Sequence, residues 1–276
     1  MTDQLLMLDP RLHLLAAVFY GIAAVLAVVS VVGRNEVLEP WARRAVYGAL
    51  VLHSAAIVVR WIAVGHGPYV SRYEVLSANA WVAIALFEFT GTRFRSARPL
   101  ALFIYPSVLL LMGIGLYTGP EVELLPPTFS GIWLALHVAF YLLAFGTALT
   151  AVGSSALHLA KARFPVGRLE RVPGPAELDA LAYRFGGLAF AFWGIGMLAG
   201  AIWAYYAWGR FWGWDPVETW SLVTWLAFGL YLHLRRFYAW SGAKAAYLLI
   251  VCFLLADGTL FFTSLIDGSL HAVYFR

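Results

Sequence analysis

The sequence predicts an all-α integral membrane protein, a bundle of about eight transmembrane helices with both termini on the outer side. Of its 276 residues, 62% are hydrophobic and 12% are charged, whereas soluble domains carry about 25% charged residues. The mean hydropathy is +0.77. The apolar residues fall in runs of roughly 20, the length at which a helix crosses a bilayer. The basic residues lie between these runs, concentrated in alternate loops.

Eight apolar runs are long enough to cross a membrane. The predicted spans cover residues 12–33, 44–64, 74–90, 100–118, 131–158, 184–206, 219–237 and 244–266. None shows the alternating hydropathy of membrane β-strands, so helices are expected. The first run is too long for the core of a signal peptide and has no basic leader, so we expect no cleaved signal. Without internal repeats, residues 1–276 are expected to form one polytopic domain.

Loop charges predict the orientation of these spans. Of the 19 Lys and Arg residues, 14 lie in four alternate loops or at their borders, at 34–44, 91–99, 159–184 and 235–244. By the positive-inside rule these loops face inward, and the termini and the loop at 208–218 face outward. The net charge of +4 is therefore a topology signal and does not indicate nucleic-acid binding. In the long inner interfacial loop 159–184, the mild amphipathic pattern of Ala176–Phe185 predicts a short interfacial helix.

Tryptophan is concentrated on the predicted outer side, in the segment 203–225. Six of the 12 tryptophans lie there, at positions 203, 208, 212, 214, 220 and 225. An aromatic belt occurs at both interfaces, whereas a one-sided platform suits a large flat ligand, for which haem is the best candidate. Asp215, Pro216 and Glu218 also fit the N-cap, N1 and N3 positions of a helix. The two acids could therefore cap a helix or act on the ligand.

Histidines are the candidate iron ligands, since neutral imidazole is a common axial ligand of haem. His137 lies about 9 Å into span five from its outer start, by the helix rise, and His271 follows span eight on the outer side. His233 lies about 20 Å deeper than Trp220, near the inner end of span seven.

The remaining ionisable residues allow several interpretations. His53, in the middle of span two, could be a ligand or a hydrogen-bonded bundle residue, of which we favour the second; His13 and His66 are expected at an interface. Three arginines toward the outer side could bind a cofactor carboxylate, Glu74 or lipid phosphate: Arg60, Arg72 and Arg210. Cys252, the one cysteine, forms no disulfide or redox pair.

The segment WAYYAWGRFWGWDPVETWSLVTWLAFGLYLH resembles the tryptophan-rich "WWD" segment of the CcsA (ResC) family, the haem-handling subunit of system II cytochrome c synthases. Three further segments are similar to elements of that family: WLALHVAFYLLAF at 133–145, YEVLSANAW at 73–81 and SLHAVYF at 269–275.

The resemblance implies haem binding, haem transport and covalent attachment of haem to an apocytochrome c carrying C-x-x-C-H. It implies that His137 and His271 hold the iron of an external haem, and that His233 holds an inner haem with a ligand from a CcsB (ResB)-type partner. The haem is expected to be haem b. Other residues expected to contact it are Trp208, Trp212, Trp214, Asp215, Trp220 and Arg210. Thiol-reducing thioredoxin-like proteins are possible partners, and the expected location is the bacterial cytoplasmic membrane.

Two other classes of function fit the same pattern. The chain could be a haem carrier, exporter or haem-linked regulator without attachment activity, or a structural or quinone-binding membrane subunit whose tryptophans form a belt. In the synthase interpretation the chain is a subunit of a lyase-type holocytochrome c synthase. It then supplies position and iron ligation, and no catalytic nucleophile is expected from it.

Overall fold

The computed structural model is all-α and describes residues 2–123, 125–164, 167 and 169–263. This part of the chain contains eight α-helices and one 3₁₀ helix, and no strand occurs in it. The helices are α1 Thr2–Val32, α2 Leu38–Val64, α3 Arg72–Arg93, α4 Ala101–Thr118, α5 Ile132–Arg163, α6 Pro175–Trp208, α7 Pro216–Phe237 and α8 Gly242–Phe261, with the 3₁₀ helix Arg95–Leu100 before α4. The predicted fold class is confirmed.

Within the described ranges, seven helices are long and apolar enough to cross a membrane, which makes the chain an integral membrane protein. The exception among the eight is α7, which has 22 residues but mixes its apolar positions with Ser, Thr, Trp, Tyr and charged residues. The predicted sidedness of the loops and termini stays a prediction.

Several helices begin earlier than their hydropathy indicates, α1 and α6 by the most. Helix α1 starts at Thr2 and α6 at Pro175, where Gly174 and a proline at N1 favour a helix start. The segment Ala176–Phe185, expected as a separate interfacial helix, is the first part of α6. Because α5 also continues to Arg163, the connection between α5 and α6 is shorter than the predicted loop.

The chain divides into two compact units. Unit 1 comprises Met1–Glu123 and Ala160–Pro173; in it α1 packs on α2 and α4, and α3 packs on α4. Unit 2 comprises Leu124–Leu159 and Gly174–Arg276; in it α7 packs on α6 and α8.

Unit 1 contains an unusual number of buried polar side chains. His53 is fully buried and hydrogen-bonded to Tyr20 and Ser77, which confirms the favoured interpretation of this residue. His13 and His66, expected at an interface, are instead buried; the His13 ring lies against the rings of His53 and Tyr73. Of the partners considered for Arg60, the structure shows Glu74, at 2.9 Å.

Candidate functional site

The tryptophan-rich loop joins α6 to α7 in unit 2, and its backbone is fixed at both ends. Gly209 ends α6 in the left-handed region, at φ 74°, a conformation that glycine adopts without steric cost. Trp214 takes φ 58°, which is costly for a residue with a side chain. The Glu218 carboxylate accepts hydrogen bonds from the backbone N–H groups of the two residues that flank Trp214, Gly213 at 2.7 Å and Asp215 at 3.1 Å. Glu218 therefore holds Trp214 in its strained conformation.

The two acids of the loop cap helix α7, as one sequence interpretation predicts. Asp215 is the N-cap and its carboxylate accepts from Val217 N at 2.9 Å. Glu218 at N3 completes the capping box, and Pro216 occupies the first helical position. This arrangement satisfies backbone donors that otherwise have no partner at the start of a helix.

This cap yields a first testable expectation. Replacing Asp215 by alanine should cost roughly 0.5–2 kcal/mol of folding stability, and replacing it by asparagine less, because asparagine also caps. Unfolding of the purified variants in detergent, measured beside their haem content, checks the order. Equal and complete loss of haem in both variants, each well folded, would instead favour direct action of the carboxylate on the ligand.

An aromatic cavity of about 380 Å³, part of it open to solvent, lies beside this loop within unit 2. Helices α5, α6 and α7 and the loop supply its walls. Its lining includes His137, Tyr141, Met197, Gly200, Trp203, Trp208, Phe211, Trp212 and Glu218. Such a predominantly aromatic concavity with few polar groups is typical of a site for a flat organic ligand.

His137 is held in one orientation within this cavity. Its Nδ1 hydrogen-bonds the carbonyl of Gly196 at 2.9 Å, which makes Nδ1 the protonated nitrogen. The ring stacks against Trp203 at 6.3 Å with 19° between the planes, and meets Tyr141 edge-on at 4.8 Å. Gly200 is required here, because a Cβ at that position would lie 2.3 Å from Nδ1 of His137.

The neighbours of His137 are themselves anchored. The Tyr141 hydroxyl hydrogen-bonds Ser221 Oγ at 2.5 Å, and the fully buried Trp193 donates to the same oxygen at 3.0 Å. Trp203 donates to the Thr128 carbonyl at 2.9 Å. These bonds connect α5, α6 and α7 and so fix the cavity walls relative to one another.

Only some of the remaining residues predicted for the outer haem line this cavity. Trp208 and Trp212 line the cavity, but Trp214 and Trp220 are 70% and 43% exposed and do not line it. Arg210 lies against Gly213, where a Cβ would come 1.1 Å from Nη1 of the arginine. His271 lies outside the described residues.

His233 lines a second, larger groove of unit 2, between α6 and α7, with about 970 Å³ of empty space, part of it open to solvent. The same lining includes Arg184 and Gly187 of α6. It also includes Gly229 and Arg236 of α7. The imidazole is exposed and lies 4.8 Å from the ring of Phe237. A histidine with two guanidinium groups and an apolar floor could bind a flat ligand with carboxylates.

Several lining residues were not singled out from the sequence. Tyr141 and Met197 of the aromatic cavity, and Arg184 and Arg236 of the groove that His233 lines, have no local motif of their own. The spacing signal was present nonetheless: Tyr141 follows His137 by one helical turn, and Arg236 follows His233 by three residues, so each pair shares a helix face.

The sequence profile of a family described as cytochrome C assembly protein matches residues 69–271. Proteins named cytochrome c biogenesis protein CcsA are similar to this chain. The one from Chlamydomonas reinhardtii is 35% identical over 226 residues, covering 79% of this chain and 64% of its own length. The one from Trieres chinensis is 33% identical over 226 residues, covering 68% and 72%, and that from Chlorella vulgaris 28% over 268 residues, covering 83% and 84%.

A solved structure titled "Cytochrome c Heme Lyase CcmF" has a similar fold, with a TM-score of 0.70 over 99% of this chain. The match covers 47% of that chain, so this chain spans about half its length, and the identity is 17%. At that identity the likeness concerns the fold.

Proposed function

The chain belongs to the CcsA family of cytochrome c assembly proteins, and on this basis we propose that it binds haem in the aromatic cavity of unit 2 and presents it for covalent attachment to apocytochrome c. Membership of the family supports a role in cytochrome c maturation. Haem is the substrate of this reaction, and the partner is a CcsB (ResB)-type membrane subunit.

The observation that carries the proposal is the fixed tautomer of His137. With Nδ1–H donated to the Gly196 carbonyl, the lone pair is on Nε2, the nitrogen that can ligate iron. Histidines that ligate metals commonly donate their other ring N–H to a carbonyl or carboxylate in this way, which orients the ring and raises its basicity. The stacked Trp203 and the edge-on Tyr141 keep the ring from turning.

The cavity residues fit the macrocycle of haem. Trp203, Trp208 and Trp212 supply aromatic faces and edges, the geometry in which flat π systems are bound. The thioether sulfur of Met197 is polarisable and packs well against aromatic rings. In the proposal His271 would supply a second ligand to the iron, and Arg210 of the adjoining loop would bind a propionate.

The chain's contribution to the chemistry is positioning. In thioether formation each thiol of the C-x-x-C-H motif adds across a vinyl double bond, so that sulfur bonds to one carbon and hydrogen to the other. This addition requires no nucleophile from the chain. The reaction requires that the haem be held through its iron and through the two faces of its macrocycle. The edge that carries the vinyl groups must stay accessible to the apocytochrome.

The groove lined by His233 is the proposed site of haem uptake. The proposal places it toward the inner side of the membrane, and we call it the inner groove. His233 would hold the iron there with a second ligand from the partner subunit, and Arg184 and Arg236 would bind the propionates, since guanidinium pairs with carboxylates in a bidentate fashion. The haem would then move to the aromatic cavity lined by His137, which the proposal places toward the outer side and which we call the outer cavity. The tryptophan loop is proposed to face the outside of the bacterial cytoplasmic membrane, where thioredoxin-like proteins would keep the thiols reduced.

Co-expression tests the function directly. The chain, its CcsB-type partner and an apocytochrome with C-x-x-C-H should together give a cytochrome whose haem survives denaturing electrophoresis. The same apocytochrome with both motif cysteines changed to serine is the control and should carry none. Haem-bound protein without any attachment would indicate a carrier, and a purified chain that stays colourless when offered haem would exclude both.

A further inference from the structure

A buried chain of hydrogen-bonded polar side chains, four of them titratable, runs through unit 1. Its members are Asp9, His13 and Tyr20 of α1, His53 of α2, and Ser77 of α3, and each is at most 4% exposed. Ionisable groups inside a membrane unit are costly to bury and usually serve a function.

The chain is continuous by hydrogen bonds. His13 Nδ1 lies 2.7 Å from the Asp9 carboxylate, and His13 Nε2 lies 2.8 Å from Ser77 Oγ. The same Ser77 oxygen lies 2.9 Å from His53 Nε2, and His53 Nδ1 lies 3.2 Å from the Tyr20 hydroxyl. Asp9 and Tyr20 are separated by about 16 Å along α1, by the helix rise.

One hydroxyl between two imidazole nitrogens restricts where the hydrogens can be. Ser77 has one hydrogen, so it can donate to only one of the two histidines at a time. While His13 is neutral, its Nδ1–H donates to the Asp9 carboxylate. Ser77 then donates to His13 Nε2 and accepts from His53 Nε2–H, and the Tyr20 hydroxyl donates to His53 Nδ1. His53 therefore carries its hydrogen on Nε2.

A proton on His13 reverses the three bonds beyond it and leaves the bond from Nδ1 to Asp9 unchanged. With Nε2 also protonated, His13 donates to Ser77, which frees the Ser77 hydrogen for donation to His53 Nε2. His53 then carries its hydrogen on Nδ1 and donates it to Tyr20. The balance is one proton: Tyr20 takes the incoming proton and passes its own to His53, which passes its Nε2 hydrogen to Ser77, which passes its own to His13. Only His13 ends with one hydrogen more.

The acidic end of the chain is held by an arginine. Arg60 lies 3.3 Å from Asp9 and 2.9 Å from Glu74, so two carboxyl groups share one guanidinium. The Tyr73 hydroxyl also contacts Asp9 and His13, at 3.2 Å and 2.8 Å.

Further titratable groups of unit 1 lie near Glu74, which is linked to Asp9 through Arg60. His66 Nδ1 is 3.8 Å from the Glu74 carboxylate. Glu123 is coupled electrostatically to Glu74, Arg60, Arg72 and Glu121; burial, and secondarily the Glu74 charge, raises the pKa of Glu123. The titratable groups of α4 are Tyr105, which donates to Glu88, and Tyr117, which is 92% exposed.

We propose that Asp9, His13, Ser77, His53 and Tyr20 form a proton relay, in which a proton bound at His13 is linked through Ser77 to the tautomer of His53. The relay gives unit 1 a proton-binding function that is independent of the haem sites in unit 2.

Nitrogen NMR of the full chain, ¹⁵N-labelled at histidine and held in nanodiscs, tests the relay over a pH series. His13→Gln and His53→Gln spectra assign the two rings. The hydrogen of His53 should move from Nε2 to Nδ1 at the same midpoint at which His13 gains its proton. Ser77→Ala should abolish this shared transition, and Ser77→Thr, which keeps a hydroxyl, should retain it.

Ser54→Ala is the matched control, because the Ser54 hydroxyl of α2 bonds Leu50 and Trp81 outside the relay; it should leave the shared midpoint unchanged. The proposal is overturned if His53 keeps one tautomer while His13 titrates, or if the coupled change survives in Ser77→Ala. It is equally overturned if His13 does not change protonation across the series, since the relay then has no proton to carry.

Discussion

Replacing His137 by alanine is expected to convert the outer haem from a low-spin form to a five-coordinate or water-ligated form. Two imidazoles on one iron give a low-spin spectrum, and removing one opens a coordination position. The affinity for haem should fall by about 10- to 100-fold or more. Removing only a residue that orients a metal ligand typically lowers metal affinity by about that factor, and here the ligand itself is removed. Absorption spectra of the purified protein, with the partner subunit present, measure both effects.

Imidazole is small enough to fill the opened position. Adding it to His137→Ala should restore the low-spin spectrum and part of the attachment activity. The matched control is His158→Ala on the same helix, because His158 hydrogen-bonds the Pro175 carbonyl and lines neither cavity of unit 2. A His137→Ala protein that keeps the wild-type spectrum would show that another residue holds the iron.

Gly200→Ala tests the same ligand without removing it. The new Cβ would lie 2.3 Å from Nδ1 of His137 and 2.6 Å from Cε1, so the ring must move and its bond to the Gly196 carbonyl must lengthen or break. The spectrum should shift toward that of His137→Ala. Added imidazole should rescue this variant less well, because the displaced ring still occupies part of the cavity.

The parts of this site that sequence predicts are those decided by neighbouring residues. The cap of α7 depends on Asp215, Pro216 and Glu218, which lie within four positions, and the capping box forms as expected. The apolar runs likewise correspond to helices, because backbone satisfaction in lipid leaves few alternatives.

The parts that sequence could not predict depend on packing between distant segments. Six tryptophans cluster in 203–225, yet composition does not say which of them face a cavity: Trp203 and Trp212 do, whereas Trp214 is 70% exposed on a backbone of positive φ. The relay of unit 1 joins residues up to 64 positions apart, such as His13 and Ser77. No local pattern indicates such a pairing, which arises only when the fold brings side chains of α1 and α3 within hydrogen-bond distance.

His233→Ala is expected to lower the amount of haem that reaches the outer cavity without changing the spectrum of the haem that arrives there. His233 lies about 20 Å from Trp220 along α7, by the helix rise, and lines a groove that shares no lining residue with the outer cavity. Loss of an uptake ligand therefore acts before the outer iron is bound. Haem content per protein and the spectrum per haem, measured on the same preparation, separate the two effects.

The arginines of the inner groove make this prediction sharper. If Arg184 and Arg236 bind the propionates there, Arg184→Gln and Arg236→Gln should reduce haem content in the same direction as His233→Ala, each with an unchanged spectrum per haem. Arg235→Gln gives the contrasting result, because Arg235 pairs in bidentate fashion with Asp179, at 2.5 and 2.8 Å, and its loss should lower folding stability. An altered spectrum per haem in His233→Ala would mean that His233 contacts the outer iron or reshapes its cavity, and the separate uptake site would have to be abandoned. Full haem content in all three groove variants would remove the inner site while leaving the assignment of His137 unaffected.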